Sequence, residues 1–143
     1  MSAAWHIAQI NVARFREPRA SAVNADFEAM LGDVNALAEA SPGFVWRMAG
    51  EGDSDDPALT INMTVWESLE ALAAFAYRNP THRSVMRRRA EWFVELPAYL
   101  ALWWVRAGSV PTLAEGLAKL DLIGRAGPGG EAFDFKNPFS PPA

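Results

Sequence analysis

Cysteine is absent from the 143 residues, which excludes disulfides, thiolate-bound zinc, iron–sulfur clusters and thiol nucleophiles. Histidine is scarce: His6 and His82 alone leave little for a histidine metal site or a serine triad, and we expect no metal. No uncharged apolar run reaches the roughly 18 residues that a membrane span needs. The richest stretch, Leu96 to Val105, is short and is broken by Pro97. The first residues carry no basic-then-apolar leader, so a cytoplasmic protein is expected. Thirteen Lys and Arg stand against seventeen Asp and Glu, which removes broad electrostatic attraction to nucleic acid. Walker loops, dinucleotide fingerprints and nucleophile elbows are missing as well.

Half of the residues are hydrophobic and 21% are charged, enough for a packed core in one domain over residues 1–143. Six of the residues are Trp, each a large apolar body with an indole N–H that needs a partner, which points to a thick core, an interface or an aromatic pocket.

Periodicity gives the elements. Trp5 to Ala13 alternates as a strand, with Trp5, Ile7, Gln9 and Asn11 on one face and His6, Ala8, Ile10 and Val12 on the other. Asn24 is placed to cap a helix over Ala25 to Ala40, whose Phe27, Met30, Leu31, Val34 and Leu37 form one stripe, and Ser41-Pro42-Gly43 stops it. Phe44 to Ala49 and Leu59 to Trp66 read as strands joined by the acidic connection Gly50 to Pro57. Ser68 caps a helix to Tyr77, Asn79-Pro80 starts another to about Phe93, and Ala98 to Ala107 is a further strand. Thr112 and Glu115 form a capping box before a helix over Leu113 to Ile123, and a Gly- and Pro-rich tail follows with Phe133, Phe135 and Phe139 as pegs.

The order predicts an α+β fold, a ferredoxin-like β-α-β-β-α-β antiparallel sheet over 1–110, an extra helix over 111–124 and an extended tail over 125–143. Helices cover one face of such a sheet. The aliphatic face is the expected core. The other face, with Trp5, Gln9, Asn11, Thr60, Asn62, Thr64 and Trp66, is expected to be bare and to be met by a second copy, giving a homodimer.

The segments HIAQINVAR (6–14), SPGFVWR (41–47), VWESLEALAAF (65–75), HRSVMRRRAEWF (82–93), LALWWVRAG (100–108), PTLAEGLAKLDLI (111–123) and GPGGEAFDFKNPF (127–139) resemble a bacterial family known only as a domain of unknown function. That family is similar to the antibiotic-biosynthesis-type monooxygenases of the dimeric α/β-barrel superfamily. The superfamily also holds haem-degrading monooxygenases, chlorite dismutases, muconolactone isomerases, polyketide cyclases and stress-response proteins. The resemblance implies the fold; one fold hosts many chemistries.

His82 shares a helix face with Val85, Met86, Arg89 and Phe93, so it points inward. There it suits a general base, an axial haem ligand, or a structural imidazole bonded to a helix end or carbonyl. The resemblance bears on haem: in haem-degrading members a Trp ends the strand and the ligating His follows, as Trp66 and His82 do here across a shorter segment. Asn11, Asn62, Gln9 and Thr64 put polar groups on the Trp66 face, as a small-ligand site does, or as an interface would. The resemblance implies that an amide, Asn11 or Asn62, polarises a substrate carbonyl and steadies its oxyanion.

Of the basic run, Arg83, Arg87 and Arg88 read as a solvated face, while Arg89 lies inward and can hold a carboxylate, with Arg47 a weaker candidate. His6 reads as structural, and Trp46, Trp92 and Trp104 as core or interface. Of the adjacent Trp103 and Trp104 one must face the pocket, and Trp103 is counted among the substrate-binding residues. Asp53, Asp55 and Asp56 lack the spacing of a calcium loop and read as a solvated hairpin tip.

Three functions compete. The first is a monooxygenase-like enzyme that takes a small hydrophobic aromatic or polyketide-type molecule without bound flavin or metal, His82 moving protons, Asn11 or Asn62 steadying the oxyanion, and Gln9, Thr64, Trp66 and Arg89 holding substrate. The second is a haem protein, with His82 on iron and Arg89 on a propionate. The third is a non-enzymatic binder or dimerisation module.

Overall fold

Alternating side chains build a central strand, β1 (Trp5–Phe15), in the computed structural model, which describes residues 4–49 and 56–142. One tight helical turn, Ala22–Asn24, leads into α1 (Ala25–Glu39), followed by β2 (Phe44–Arg47) and β3 (Leu59–Trp66). Two helices, α2 (Leu69–Arg78) and α3 (Pro80–Trp92), precede the two-residue β4 (Phe93–Val94), then β5 (Leu100–Arg106) and α4 (Leu113–Ala126). The acidic connection with Asp53 and Asp55 lies outside the described residues. Asp56 is described: it pairs with Arg14 at 3.1 Å and accepts the Ala58 N–H at 2.9 Å. No helix among the described residues is long and apolar enough to cross a membrane.

All strand pairs are antiparallel. β2 borders β3, β3 borders β1, and the far edge of β1 is shared by β5 along Trp5–Asn11 and β4 along Arg14–Phe15. This is the ferredoxin-like α+β arrangement, with the last strand split in two. Sequence periodicity runs the helix through Phe93, whereas the chain turns extended there. Phe93 and Trp92 are buried with Phe15 and Phe27 in a satellite aromatic cluster, with ring centroids 5.0 Å apart for Phe27 and Phe93, and that burial outweighs one more helical residue.

The caps follow the chemistry. Ser68 accepts the Ala71 N–H at 3.1 Å, and Asn79 accepts those of Thr81 and His82 at 3.0 and 3.1 Å, with Pro80 as the first helical residue. Two expectations change. Asn24 does not cap α1: the preceding turn already holds it in helical geometry, and its buried side chain donates to the Pro18 carbonyl at 3.0 Å. The capping box is half formed. Thr112 accepts the Glu115 N–H at 3.1 Å, but the Glu115 carboxylate turns inward to accept the Trp103 indole N–H at 2.7 Å.

The largest correction concerns which sheet face is covered by which helices. Gln9, Asn11, Asn62, Thr64 and Trp66 face α1, α2 and α3, not an open surface. The aliphatic face, with Ala8, Ile10, Met63, Val65 and Trp103, packs under α4 through Leu113, Leu120 and Ile123. The physical reason lies in α4, which supplies the second cover from the same chain. A bare face therefore gives no reason for sheet-on-sheet pairing.

Gly116 permits this cover. A helix-interior glycine costs about 1 kcal/mol against alanine. Here a Cβ would lie 2.8 Å from Met63 Sδ and 2.9 Å from Ile10 Cδ1, so α4 approaches the sheet only without one. Gly116→Val is expected to lower stability by about 1–3 kcal/mol in chemical denaturation, through overpacking.

The tail is tied down. Phe133 exchanges two backbone hydrogen bonds with Leu102, at 2.8 and 2.9 Å, along the free edge of β5. Its ring is 0% exposed, beside Ile7, Trp66 and Leu102. Phe135 sets its ring edge-on to Tyr77 at 5.1 Å, and Phe139 stays on the surface. Edge strands invite unwanted pairing, and this strap covers one.

Candidate functional site

Between the polar sheet face and α1, α2 and α3 lies a cavity of about 470 Å³. Its floor comes from two cross-strand pairs: Gln9 stands directly opposite Thr64, and Asn11 opposite Asn62. These side chains bond one another. Gln9 Nε2 donates to Asn62 Oδ1 at 2.7 Å and to Thr64 Oγ1 at 2.8 Å. Asn11 Nδ2 donates to Gln9 Oε1 at 3.0 Å, and the Trp66 indole N–H to Thr64 Oγ1 at 2.9 Å. The network fixes each amide. It engages the carbonyl of Asn62 and leaves the Asn62 NH₂ donors and the Asn11 carbonyl for a guest.

Thr64 is the hub, buried and accepting two N–H groups. Thr64→Val keeps the shape but strips both donors of their acceptor. It is expected to cost about 1–3 kcal/mol, measured by denaturant unfolding.

An aromatic wall adjoins the amides. Trp66 stacks on Phe75 at 5.4 Å, and Phe75 meets the His82 ring at 5.0 Å. His82 is set by the Asn79 cap, and its Nδ1 lies 2.8 Å from the Ala76 carbonyl oxygen. A carbonyl only accepts, so Nδ1 carries the proton and Nε2 keeps a lone pair. Burial pushes the His82 pKa below its ordinary 6.5, and the Ala76 bond opposes this in part. The imidazole is therefore neutral at pH 7, a base tied at one nitrogen.

The cavity brings together Gln9, Asn11, Asn62, Thr64, Trp66, His82 and Arg89. Arg89 lies over the Tyr99 ring at 4.5 Å, and Arg47 pairs with Glu39 at 3.2 Å at the rim. Trp103 is placed elsewhere, 1% exposed beneath α4 with its N–H on Glu115. Trp104, on the opposite face, gives its N–H to the Phe139 carbonyl at 2.8 Å and does not line the cavity either. Sequence reasoning missed Phe75 and Tyr99; Arg83 and Arg87 are exposed, as a solvated face requires, and both also border the mouth of the cavity. The spacing of Arg83 and Arg87 beside His82 on one helix was a usable signal. Nothing local marks Phe75.

The architecture is known elsewhere. A protein assigned as an antibiotic biosynthesis monooxygenase from Nitrosomonas europaea superposes with a TM-score of 0.56 at 13% identity, over 78% of this chain and 97% of that one. SnoaB, a cofactor-independent oxygenase from Streptomyces nogalater, gives 0.50 at 16% identity, over 76% and 96%. A conserved protein from Methanosarcina mazei Go1 gives 0.56 at 9% identity, over 72% and 93%. At these identities the likeness is one of fold. No curated protein matches the sequence. The model of the Domain of unknown function (DUF3291) family matches residues 6–143, so the chain belongs to that family.

Proposed function

We propose that the chain is a monooxygenase-like enzyme that takes a flat, hydrophobic, oxygenated molecule, such as a polycyclic phenol or polyketide, into the cavity without bound flavin or metal. The observation that carries this reading is the pairing of a neutral imidazole with a bare Nε2 and amide donors left over from a fixed network, both lining one largely apolar cavity.

His82 Nε2 takes a proton from a carbon beside a substrate carbonyl. The electron pair moves onto the carbonyl oxygen, where Asn62, or Asn11 reoriented, steadies the oxyanion. The electron-rich carbanion gives one electron to dioxygen, and the radical and superoxide join as a carbon-bound peroxide that takes the proton back from His82. The same carbon then gives up its second hydrogen as a proton while hydroxide leaves from the peroxide, so the C–H and O–O bonds break as the ketone forms, and one oxygen atom enters the product while the other leaves as water. The reading takes the protein as cytoplasmic and homodimeric.

One observation also favours haem. The bond from Nδ1 to Ala76 would orient Nε2 toward an iron, and Arg89 would hold a propionate. Oxygen uptake with anthrone-type substrates, alongside a haem titration read by absorption, tests both. Catalysed uptake by protein that binds no haem supports the proposal. A stoichiometric Soret shift lost in His82→Ala, without uptake by haem-free protein, overturns it.

A further inference from the structure

We propose that the α3 side of the cavity is an anion subsite, and that the ligand is an amphipathic acid with an apolar body and one carboxylate, sulfonate or ionised phenol. This rests on the cavity being the ligand site. The chain is acidic, with a net charge of −4, yet the charged residues lining the cavity are Arg47, Arg83, Arg87 and Arg89, and among the described residues no Asp or Glu lines it.

The partners of these arginines sort by direction. Arg88 belongs to the same run but points away from the cavity, where Asp26 and Glu91 hold it at 2.8 and 2.9 Å. Arg47 at the rim is paired with Glu39. The other three meet neutral groups or none. Arg87 donates to Ser84 Oγ at 3.1 Å, Arg89 rests on Tyr99, and Arg83 makes no ion pair among the described residues. A guanidinium has five donors, so each keeps several for a guest. Two of the three, Arg83 and Arg87, stand one helical turn apart and reach the same mouth. Beside them Phe75, Met86, Val34 and Leu31 form an apolar wall. A cationic mouth on an apolar pocket selects an anionic head on an apolar body.

The test uses two fluorescent probes of similar shape and different charge: anilinonaphthalene sulfonate, which is anionic, and phenylnaphthylamine, which is neutral. Wild-type protein is expected to bind both, and salt should weaken the anionic probe alone. The triple variant Arg83→Gln, Arg87→Gln, Arg89→Gln is expected to lose about tenfold or more in affinity for the anionic probe and less than about twofold for the neutral one. Each single variant should lose about two- to fivefold, which keeps the test decisive if the triple variant fails to fold. Arg88→Gln makes the same charge change outside the cavity and should alter neither affinity. Anionic-probe affinity that survives the substitutions, or falls equally for both probes or in Arg88→Gln, overturns the anion subsite while leaving the cavity reading in place. Failure of wild type to bind either probe overturns both.

Discussion

Replacing His82 by asparagine is expected to leave the fold intact and to cut turnover by about 10²–10⁴-fold. The two halves of that expectation come from the two ring nitrogens. Asparagine Nδ2 can occupy the place of Nδ1 and keep the bond to the Ala76 carbonyl, 2.8 Å away in the native protein. It has nothing where Nε2 stood. A purely structural His82 would therefore tolerate asparagine, and a catalytic one would not. The pH dependence follows from burial. Because the folded pKa lies below 6.5, the neutral base persists under mildly acidic conditions, and the acid limb of kcat/KM should fall below pH 6.5. The same shift makes stability complete above pH 6.5 and erodes it as the pH drops, since the unfolded chain then binds the proton first. In His82→Asn that part of the pH dependence of unfolding should vanish. Activity near wild type in the folded asparagine variant would refute the base assignment.

Phe133→Ala is expected to lower stability by about 3–5 kcal/mol, the cost of truncating a fully buried aromatic ring. Phe133 anchors the strap: its ring fills the layer shared by Ile7, Trp66 and Leu102, and its backbone closes the edge of β5. The ring shares a buried cluster with Trp66, so its loss loosens the packing behind the aromatic wall of the site. The tail has an escape that a core strand lacks, because it can undock and leave the sheet folded. In that event the loss saturates at the docking free energy of the tail, and limited proteolysis cuts beyond α4. Denaturant unfolding read together with proteolysis checks this. A variant as stable and protease-resistant as wild type would show that the tail contributes nothing.

Much of this architecture can be read from the residues. Strand β3 and the caps at Ser68 and Asn79 follow from alternation and side-chain chemistry alone, because the determinants are local. Gln9, Asn11, Asn62 and Thr64 fall on one face by a period of two, and antiparallel register then sets them opposite one another. Which face the helices would cover was not legible. An aliphatic face normally marks the core, and here both faces are covered, one by the paired helices of the fold and the other by α4. The clue lay in Gly116, a glycine inside a capped helix, where a Cβ would run into Met63 and Ile10. Adjacent Trp103 and Trp104 showed that the two rings would part, but both found partners elsewhere, Glu115 and the Phe139 carbonyl, that no local pattern predicts. The sorting of the arginines by their acids is likewise a tertiary fact.

The central claim is that the cavity between the amide face and α1, α2 and α3 is the place where a small molecule binds. The most direct test is an NMR titration with a dihydroxyanthraquinone, an unreactive mimic of the product, on protein labelled in its ring nitrogens. Two His and six Trp give a sparse spectrum. The account predicts saturable shifts at the His82 ring and the Trp66 indole, with Trp103 and His6, on the face beneath α4, unmoved. Shifts confined to Trp103 or His6, or none at saturation, would contradict it.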